Sequence, residues 1–325
     1  MIAEGQRVRE FEQAVSNHLN LPGGVATSSG TSALYLGLLG LSVGSGDEVI
    51  LPTYVCRSVW DAVRATGATP VLCDVGEDWC VNIETVRPHL TARTKAIVVV
   101  HTFGIMSDVG PICTLGPPVI EDCCQAFGAK LDDRRAGTFG SLCVLSFHAT
   151  KLLTTGEGGM VLARDHGLLL KLRDLKQGRS GRWSVRFRHP MTDLQAALGL
   201  SQLNQYRSFL ARRKFIAGYY FTQLTGLPIR LPVSVRGRSI FFRFPLRVHG
   251  DFQRFRDSFL ANGIQVRQGV DMLLHRWTEA EANGFPGAEQ CFAETLSIPL
   301  YPAMNDEECE WVMKSCRHIF AAEGS

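Results

Sequence analysis

The sequence has no run of about 18 apolar residues, the length that a membrane-spanning helix needs. Its first nine residues are polar, so we also expect no secretory signal peptide. The charges nearly cancel, because 34 Lys and Arg stand against 31 Asp and Glu, for a net charge of +3. This excess is well below that of a nucleic-acid-binding protein, and we expect neither a membrane nor a nucleic-acid partner.

Metal-binding and phosphate-binding signatures are also missing. None of the ten cysteines forms a CxxC pair, and no Cys and His set has zinc spacing, so we predict no metal site. The absence of a GxGxxG turn, a Walker lysine loop and a GxSxG elbow argues against dinucleotide, nucleoside-triphosphate and serine-hydrolase chemistry. Cys123 and Cys124 are adjacent in an apolar stretch, which favours free thiols, a reducing compartment and hence a cytoplasmic location.

Short apolar runs alternate with helical patterns in the first half of the chain. The predicted strands lie at 48–51, 69–74, 96–101, 119–122, 143–147 and 159–163. This alternation predicts a mostly parallel sheet with helices on both faces.

The pattern changes after about Asp165. A basic helix, a Gly/Arg-rich loop and a long helix from Asp193 to about Leu224 come first. A smaller α+β unit follows, with predicted strands at 240–248 and 264–267 and helices at 252–262 and 306–320. Because 325 residues exceed one compact core, we expect two domains, at 1–205 and 206–325.

The first segment with chemical potential is Ser29-Gly30-Thr31-Ser32, which opens a predicted helix. Backbone N–H groups at a helix start, with hydroxyls and the helix dipole, suit a phosphate group. Ser and Thr are equally typical of an ordinary helix N-cap, which is the simpler interpretation of this segment alone.

The second segment ends the apolar run 119–122 with Asp122. Ligands bind at the carboxyl ends of parallel strands, and a carboxylate there can keep a pyridinium nitrogen protonated. The alternative is that Asp122 only caps the following helix.

The third segment holds Lys151, between a predicted buried strand and the glycine-rich turn 156–159. A desolvated lysine has a lowered pKa and exposes the neutral amine that a Schiff base requires. A surface lysine is the usual alternative, but the flanking Ser146-Phe147-His148 and the glycine-rich turn argue against it.

In this order the three segments resemble the DegT/DnrJ/StrS family of sugar aminotransferases, over nearly the whole chain. The similarity includes Gly46–Ile50, Gly67–Val71, Gln195–Ala197 and Leu296–Leu300. It implies the aspartate-aminotransferase fold, with a three-layer α/β/α domain around a mostly parallel seven-stranded sheet and a smaller C-terminal α+β domain. In such a fold the first residues, to about residue 15, can pack on the smaller domain.

The resemblance implies pyridoxal 5′-phosphate (PLP) as cofactor and assigns a role to each matching residue. Lys151 would form the internal aldimine and move the proton at the substrate's Cα, and His148 would assist. Asp122 would pair with the pyridine nitrogen, and Gln125 would approach the ring hydroxyl. The phosphate would be held by Gly30, Thr31, Ser32 and Ser146.

The resemblance also implies the reaction: an amino group passes from an amino acid, usually L-glutamate, to a keto-sugar through pyridoxamine phosphate. The acceptor is usually nucleotide-linked. Its product could belong to the biosynthesis of antibiotic sugars, cell-surface polysaccharides or cyclitols. The implied assembly is a homodimer with a shared active site.

Two positions depart from the family pattern. Cys56 stands where an aromatic residue usually stacks on the PLP ring, and Arg188-His189-Pro190 replaces an Asn-x-Arg. We interpret Arg188 as a substitute contact to the phosphate of the second subunit.

Two other functions remain as alternatives. A PLP-dependent deoxysugar dehydratase has histidine in place of the lysine, so Lys151 argues against it. A catalytically weak regulatory or binding protein is favoured by Cys56 and by the missing Asn-x-Arg, while Lys151, Asp122 and Gln125 argue against it. The basic stretch 171–188 has two possible interpretations: it attracts an anionic substrate, or it is only a solvated surface.

Overall fold

The computed structural model describes residues 4–178, 187–278 and 282–323. The helices are α1 (Gln6–Leu19), α2 (Gly30–Gly40), α3 (Arg57–Ala65), α4 (Ile83–Val86), α5 (Val109–Cys113), α6 (His166–Gln177), α7 (Asp193–Leu224), α8 (Phe252–Ala261), α9 (Leu274–Trp277), α10 (Pro286–Glu294) and α11 (Asp306–Glu323). The strands are β1 (Gly23–Thr27), β2 (Glu48–Pro52), β3 (Thr69–Cys73), β4 (Thr94–Val100), β5 (Val119–Asp122), β6 (Lys130–Leu131), β7 (Arg134–Arg135), β8 (Leu142–Ser146), β9 (Gly159–Ala163), β10 (Phe244–Arg247) and β11 (Thr295–Ile298).

Seven of these strands form the central sheet, in the order β1-β9-β8-β5-β4-β2-β3. β8, β5, β4, β2 and β3 pair in parallel, whereas β9 is antiparallel to both of its neighbours. The apolar runs that form β2, β5 and β9 are buried along their whole length, as expected for strands covered on both faces. The prediction of a mostly parallel seven-stranded sheet is therefore confirmed.

Helices cover both faces because successive side chains of a strand point in opposite directions. Val25 of β1 and Val161 of β9 share an apolar cluster with residues of α2, α3 and α6. Their neighbours Ala26 and Met160 face the other side, in a cluster with residues of α1 and α7. This is the three-layer α/β/α arrangement that was expected.

The first helix, α1, packs against β1 of the central sheet and against α7. Its apolar stripe includes Phe11, whose ring lies 4.9 Å from that of Phe147. A Cβ on Gly199 of α7 would lie 2.7 Å from the Phe11 ring, so the two helices meet where α7 has no side chain. The family resemblance allows this segment to pack on the smaller unit. Its contacts lie instead with β1 and the first turns of α7, because that is where its apolar stripe is buried.

The C-terminal part of the chain forms a smaller α+β unit. β10 and β11 pair antiparallel, and an apolar cluster joins the second half of α7 to α8 and α11. The predicted strand at 264–267 is reduced to a single bridge between Arg267 and Ser297. The division at residue 205 stays a prediction, since α7 runs unbroken across it. Within the described ranges, no helix is long and apolar enough to cross a membrane.

Candidate active site

A cavity of about 520 Å³ opens at the carboxyl edge of the sheet, the edge where α/β proteins bind ligands. Asp122 is the last residue of β5, Ser146 is the last residue of β8, and Cys56 follows the end of β2. The cavity is lined by eight of the predicted site residues: Gly30, Thr31, Cys56, Asp122, Gln125, Ser146, His148 and Lys151. The structure thus brings together residues that are far apart in the chain.

The start of α2 forms one wall of this cavity. Ser29 is the N-cap, and its hydroxyl accepts a hydrogen bond from the Ser32 N–H at 3.1 Å. Ser29 also lines the cavity, although it was not among the predicted ligands, whereas Ser32 does not line it. The Ser32 hydroxyl instead accepts a bond from the Ser29 hydroxyl at 3.0 Å. The first N–H groups of a helix lack partners within the helix, so this wall offers hydrogen-bond donors to an anion.

Two glycines allow α2 to begin so close to the sheet. A Cβ on Gly30 would lie 2.7 Å from Cβ of Ser146. A Cβ on Gly159 would lie 2.6 Å from the Gly30 nitrogen and closer still to the Ser29 carbonyl group. Because real Cβ atoms essentially never approach other atoms this closely, any larger residue at either position would displace the helix start.

Asp122 and Gln125 lie on the floor of the cavity. Asp122 is only 7% exposed, and its Oδ1 accepts a hydrogen bond from the Cys124 N–H at 3.0 Å. The Gln125 side-chain oxygen accepts from the Phe103 N–H at 2.8 Å, which leaves the amide nitrogen to donate to a ligand. The cavity therefore offers a buried acceptor and a neighbouring donor.

Lys151 lies in the loop between β8 and β9, and its amine is 5.5 Å from the centre of the Phe242 ring. Its backbone N–H donates to the His148 carbonyl at 2.9 Å, which closes a turn after the strand. The half-exposed His148 ring has Nδ1 2.9 Å from the Thr150 hydroxyl and Nε2 3.5 Å from a Glu157 carboxylate oxygen. These contacts orient the loop so that the lysine and Asp122 face the same cavity.

Cys56 occupies the N-cap position of α3 without a side-chain capping bond, and it lines the cavity. Solvent reaches this residue, yet desolvation by the surrounding protein and the negative charge of Asp122 raise the pKa of its thiol. Desolvation and Asp122 also raise the pKa of Cys124, a second thiol in the same wall. Both thiols are therefore protonated at neutral pH.

Arg188 does not line the cavity. It is exposed, in a segment that is tied to the start of α2 because the Ser28 N–H donates to the His189 carbonyl at 2.9 Å. The part of the basic stretch from residue 179 to 186 lies outside the described residues.

Beneath the sheet edge, Glu121 lies in a buried cluster with His101 and Cys123. Its carboxylate is 3.0 Å from His101 Nε2 and accepts backbone N–H bonds of 2.6–2.8 Å from Gly137, Phe139 and Gly140. Burial raises the pKa of Glu121, but hydrogen bonds from His101 first, and then from Gly140 and Gly137, outweigh burial and hold the pKa below its usual value. The cluster anchors the loop before β8, and through that strand it supports Ser146.

A second cavity of about 650 Å³ adjoins the first and shares Cys56, Gln125 and Lys151 with it. Its far wall comes from the C-terminal unit and includes Arg243 and Arg267, which belong to none of the sequence segments predicted to form the site. Nothing in one sequence distinguishes these two arginines from the other basic residues.

A lysine, a buried carboxylate and a helix start at the carboxyl edge of such a sheet are typical of PLP-dependent enzymes of the aspartate-aminotransferase fold. A family model confirms this class, because the DegT/DnrJ/EryC1/StrS aminotransferase family matches residues 1–317. The chain belongs to this family and is a PLP-dependent aminotransferase.

Named relatives agree with this assignment. The chain is 31% identical to GDP-perosamine synthase of Caulobacter vibrioides, over 97% of this chain and 90% of that protein. It is also 31% identical to UDP-N-acetyl-3-dehydro-alpha-D-glucosamine 3-aminotransferase of Acidithiobacillus ferrooxidans, over 94% and 86%. The crystal structure of the aminotransferase TlmJ from Streptoalloteichus hindustanus superimposes with a TM-score of 0.93 at 30% identity, covering 100% and 93%.

Proposed function

We propose that the protein transfers an amino group from L-glutamate to the ketone of a nucleotide-linked sugar. The observation that carries the proposal is that Lys151 and Asp122 face one cavity beside the start of α2. The names of the two relatives, one GDP-linked and one UDP-linked, support a nucleotide-linked acceptor.

The residues around the cavity fit PLP. The N–H groups of Gly30 and Thr31 and the Ser146 hydroxyl suit its phosphate, because a helix start attracts anions. The buried Asp122 carboxylate suits a protonated pyridine nitrogen, and the Gln125 amide nitrogen suits the ring hydroxyl. Bound there, PLP would supply an electron sink for the bonds at the amino acid's Cα.

The chain's own residues would then bind, orient and move protons. The Lys151 amine would take the proton from the donor's Cα, and in the second half-reaction it would deliver a proton to the sugar carbon. Asp122 would maintain the positive charge of its ring partner, and His148 would keep the loop that carries Lys151 in position through Thr150 and Glu157.

The second subunit and the cytoplasmic location stay predictions. The exposure of Arg188 beside the start of α2 supports a contact across a homodimer interface.

The first test uses the protein purified with PLP and titrated with L-glutamate. We expect a PLP absorbance band that changes on adding L-glutamate, and borohydride reduction should leave a phosphopyridoxyl group on the peptide that contains Lys151. Lys151→Ala should abolish this labelling and slow the response to L-glutamate at least about 100-fold. Lys130→Ala, an exposed lysine on β6, serves as the matched control and should behave as wild type.

The same experiment discriminates the alternatives. A protein with no PLP band would refute the proposal and favour the regulatory alternative. A labelled Lys151 whose band responds to no amino acid would refute amino transfer while leaving the cofactor site intact.

A further inference from the structure

An exposed aromatic and basic cluster lies at the rim of the second cavity, the one of about 650 Å³ that Lys151 also lines. It consists of Trp277 of α9 and Arg57 of α3. Trp277 is 38% exposed, and Met272, which lines the same cavity, is 45% exposed. The proposed chemistry gives these side chains no role, so the rim presents apolar surface that a long ligand would cover.

Arg57 lies over the face of the Trp277 ring, with its Cζ 4.1 Å from the ring centre. The Trp60 ring supports Trp277 in a T-shaped contact, with the ring centres 5.8 Å apart. The Arg57 Nε donates to Asp61 at 3.3 Å, and Asp61 is the only hydrogen-bond partner of Arg57 among the residues that the structure describes. Both Nη groups are therefore available to a ligand, on a side chain that is 64% exposed.

Buried hydrogen bonds fix Trp277 relative to Arg57, although the two residues come from different units. The His275 N–H donates to the Thr53 hydroxyl at 3.0 Å, in the segment that leads from β2 into α3. The fully buried His275 ring lies between that hydroxyl, 2.8 Å from Nδ1, and Glu289, 2.9 Å from Nε2. The cluster is thus held in place before any ligand arrives, which lowers the entropy cost of binding.

The chemistry of the cluster suits a nucleotide. An exposed indole and a guanidinium plane stack on a base, and the N–H groups at the edge of a guanidinium bind phosphate oxygens. Asp271 lines both cavities, whereas Arg57 and Trp277 line only the outer one. The negative charge therefore lies toward the cofactor cavity, where an uncharged keto-sugar fits better than phosphates, and the positive charge lies farther out.

We propose that Arg57 and Trp277 bind the nucleoside-diphosphate part of the acceptor. The base packs on the stacked Arg57 and Trp277 side chains, the Arg57 Nη groups donate to the phosphates, and the sugar extends inward toward Lys151. The inference rests on the proposed amino transfer to a nucleotide-linked sugar, and it names the residues that recognise the nucleotide.

The first experiment measures binding without any reaction. Isothermal titration calorimetry on the PLP-loaded full chain would measure the affinities for UDP, dTDP and GDP, and for pyrophosphate, which has the phosphates but no base. Wild type should bind at least one of the nucleotides more tightly than pyrophosphate, and that nucleotide should quench tryptophan fluorescence less in Trp277→Leu. Trp277→Leu should weaken binding of the nucleotide about tenfold and leave pyrophosphate binding unchanged, whereas Arg57→Met should weaken both about tenfold.

Conservative variants separate contact with the ligand from a loss of structure. Trp277→Phe keeps a stacking ring and should recover most of the nucleotide affinity, and Arg57→Lys keeps the charge and should recover part of the pyrophosphate affinity. Trp311→Leu and Arg7→Met are the matched controls and should change neither affinity. Trp311 is 50% exposed, the Arg7 side chain is 60% exposed and pairs with Glu10, and neither Trp311 nor Arg7 lines the cavity.

Three results would overturn the inference. The first is a wild-type protein that binds none of the three nucleotides, and the second is wild-type nucleotide affinity in both Trp277→Leu and Arg57→Met. The third is a Trp277→Leu protein that sediments as a smaller species but keeps its nucleotide affinity, which would assign the cluster to an interface between two copies of the chain. Failure of amino transfer itself is distinguishable, because Lys151→Ala should lose the reaction and retain nucleotide binding.

Discussion

Replacing Gly159 by alanine tests whether the start of α2 depends on a missing side chain. The new Cβ would lie 2.6 Å from the Gly30 nitrogen and closer to the Ser29 carbonyl group, and both are backbone atoms. Because backbone cannot rotate away as a side chain can, the helix start must move. Overpacking of this kind costs about 1–3 kcal/mol, and we expect a value near the upper end.

The same displacement should weaken PLP binding. It would move the N–H groups of Gly30 and Thr31 away from the phosphate, and the loss of one hydrogen bond to a charged group is worth about 1.5–3 kcal/mol. The affinity for PLP should therefore fall roughly 10- to 100-fold.

Urea unfolding would measure the free energy of unfolding, and equilibrium dialysis would measure PLP affinity. Gly44→Ala is the matched control, because a Cβ there meets nothing within 4 Å, and it should change stability by no more than about 0.5 kcal/mol. If Gly159→Ala behaved like Gly44→Ala in both assays, the close approach of α2 to the sheet would not depend on the missing side chain at position 159. If it lost stability but bound PLP normally, the start of α2 would not be the phosphate site.

Two further predictions concern Cys56 and Glu294. Cys56→Phe should raise the affinity for PLP several-fold, because stacking of the new ring on the PLP ring adds about 0.5–1.5 kcal/mol. Equilibrium dialysis would measure this affinity, and unchanged or weaker binding would contradict stacking at this position. Burial by itself would raise the pKa of Glu294. Hydrogen bonds from Gln290, Arg247 and Arg230 outweigh burial and lower this pKa to about 2. A lowered folded-state pKa gives stability that is complete above the unfolded-state pKa of about 4.3 and is lost as the pH falls toward 2. The urea midpoint of wild type should thus fall more between about pH 5 and pH 3 than that of Glu294→Gln, and equal falls would refute this account.

The local sequence pattern predicts the strands that are buried on both faces. It fails where an adjacent strand, distant in the sequence, determines the structure. The runs at 119–122 and 159–163 coincide with β5 and β9, because a buried apolar run between turn residues has few other structures open to it. The pair Gly23-Gly24 is locally typical of a break after a helix, yet both residues belong to β1. A Cβ on Gly24 would lie 2.8 Å from the Met160 sulfur, so the glycine is required by the adjacent strand, which no local pattern reveals.

The C-terminal strands show the same limit. The predicted strand at 240–248 is shortened to β10, because Phe241 adopts a positive φ of 53° that interrupts extended backbone. The segment 264–267 has the apolar character of a strand but forms only one bridge. Pairing at the edge of a two-stranded sheet depends on the distant partner β11, and only the folded chain determines it.

The residues of the candidate site also form two groups, those that the sequence predicts and those that only the folded chain reveals. Asp122 and Lys151 could be predicted because Asp122 ends a buried strand and Lys151 follows one, and the end of such a strand is enough to locate a residue at the ligand-binding edge of the sheet. Arg243 and Arg267 could not, because their place in the cleft depends on how the C-terminal unit packs against the sheet. The sheet edge holds the residues proposed for the chemistry, and the opposite wall of the cleft comes from the C-terminal unit. A change in how the C-terminal unit packs would therefore alter that wall while leaving the lysine and the carboxylate in place.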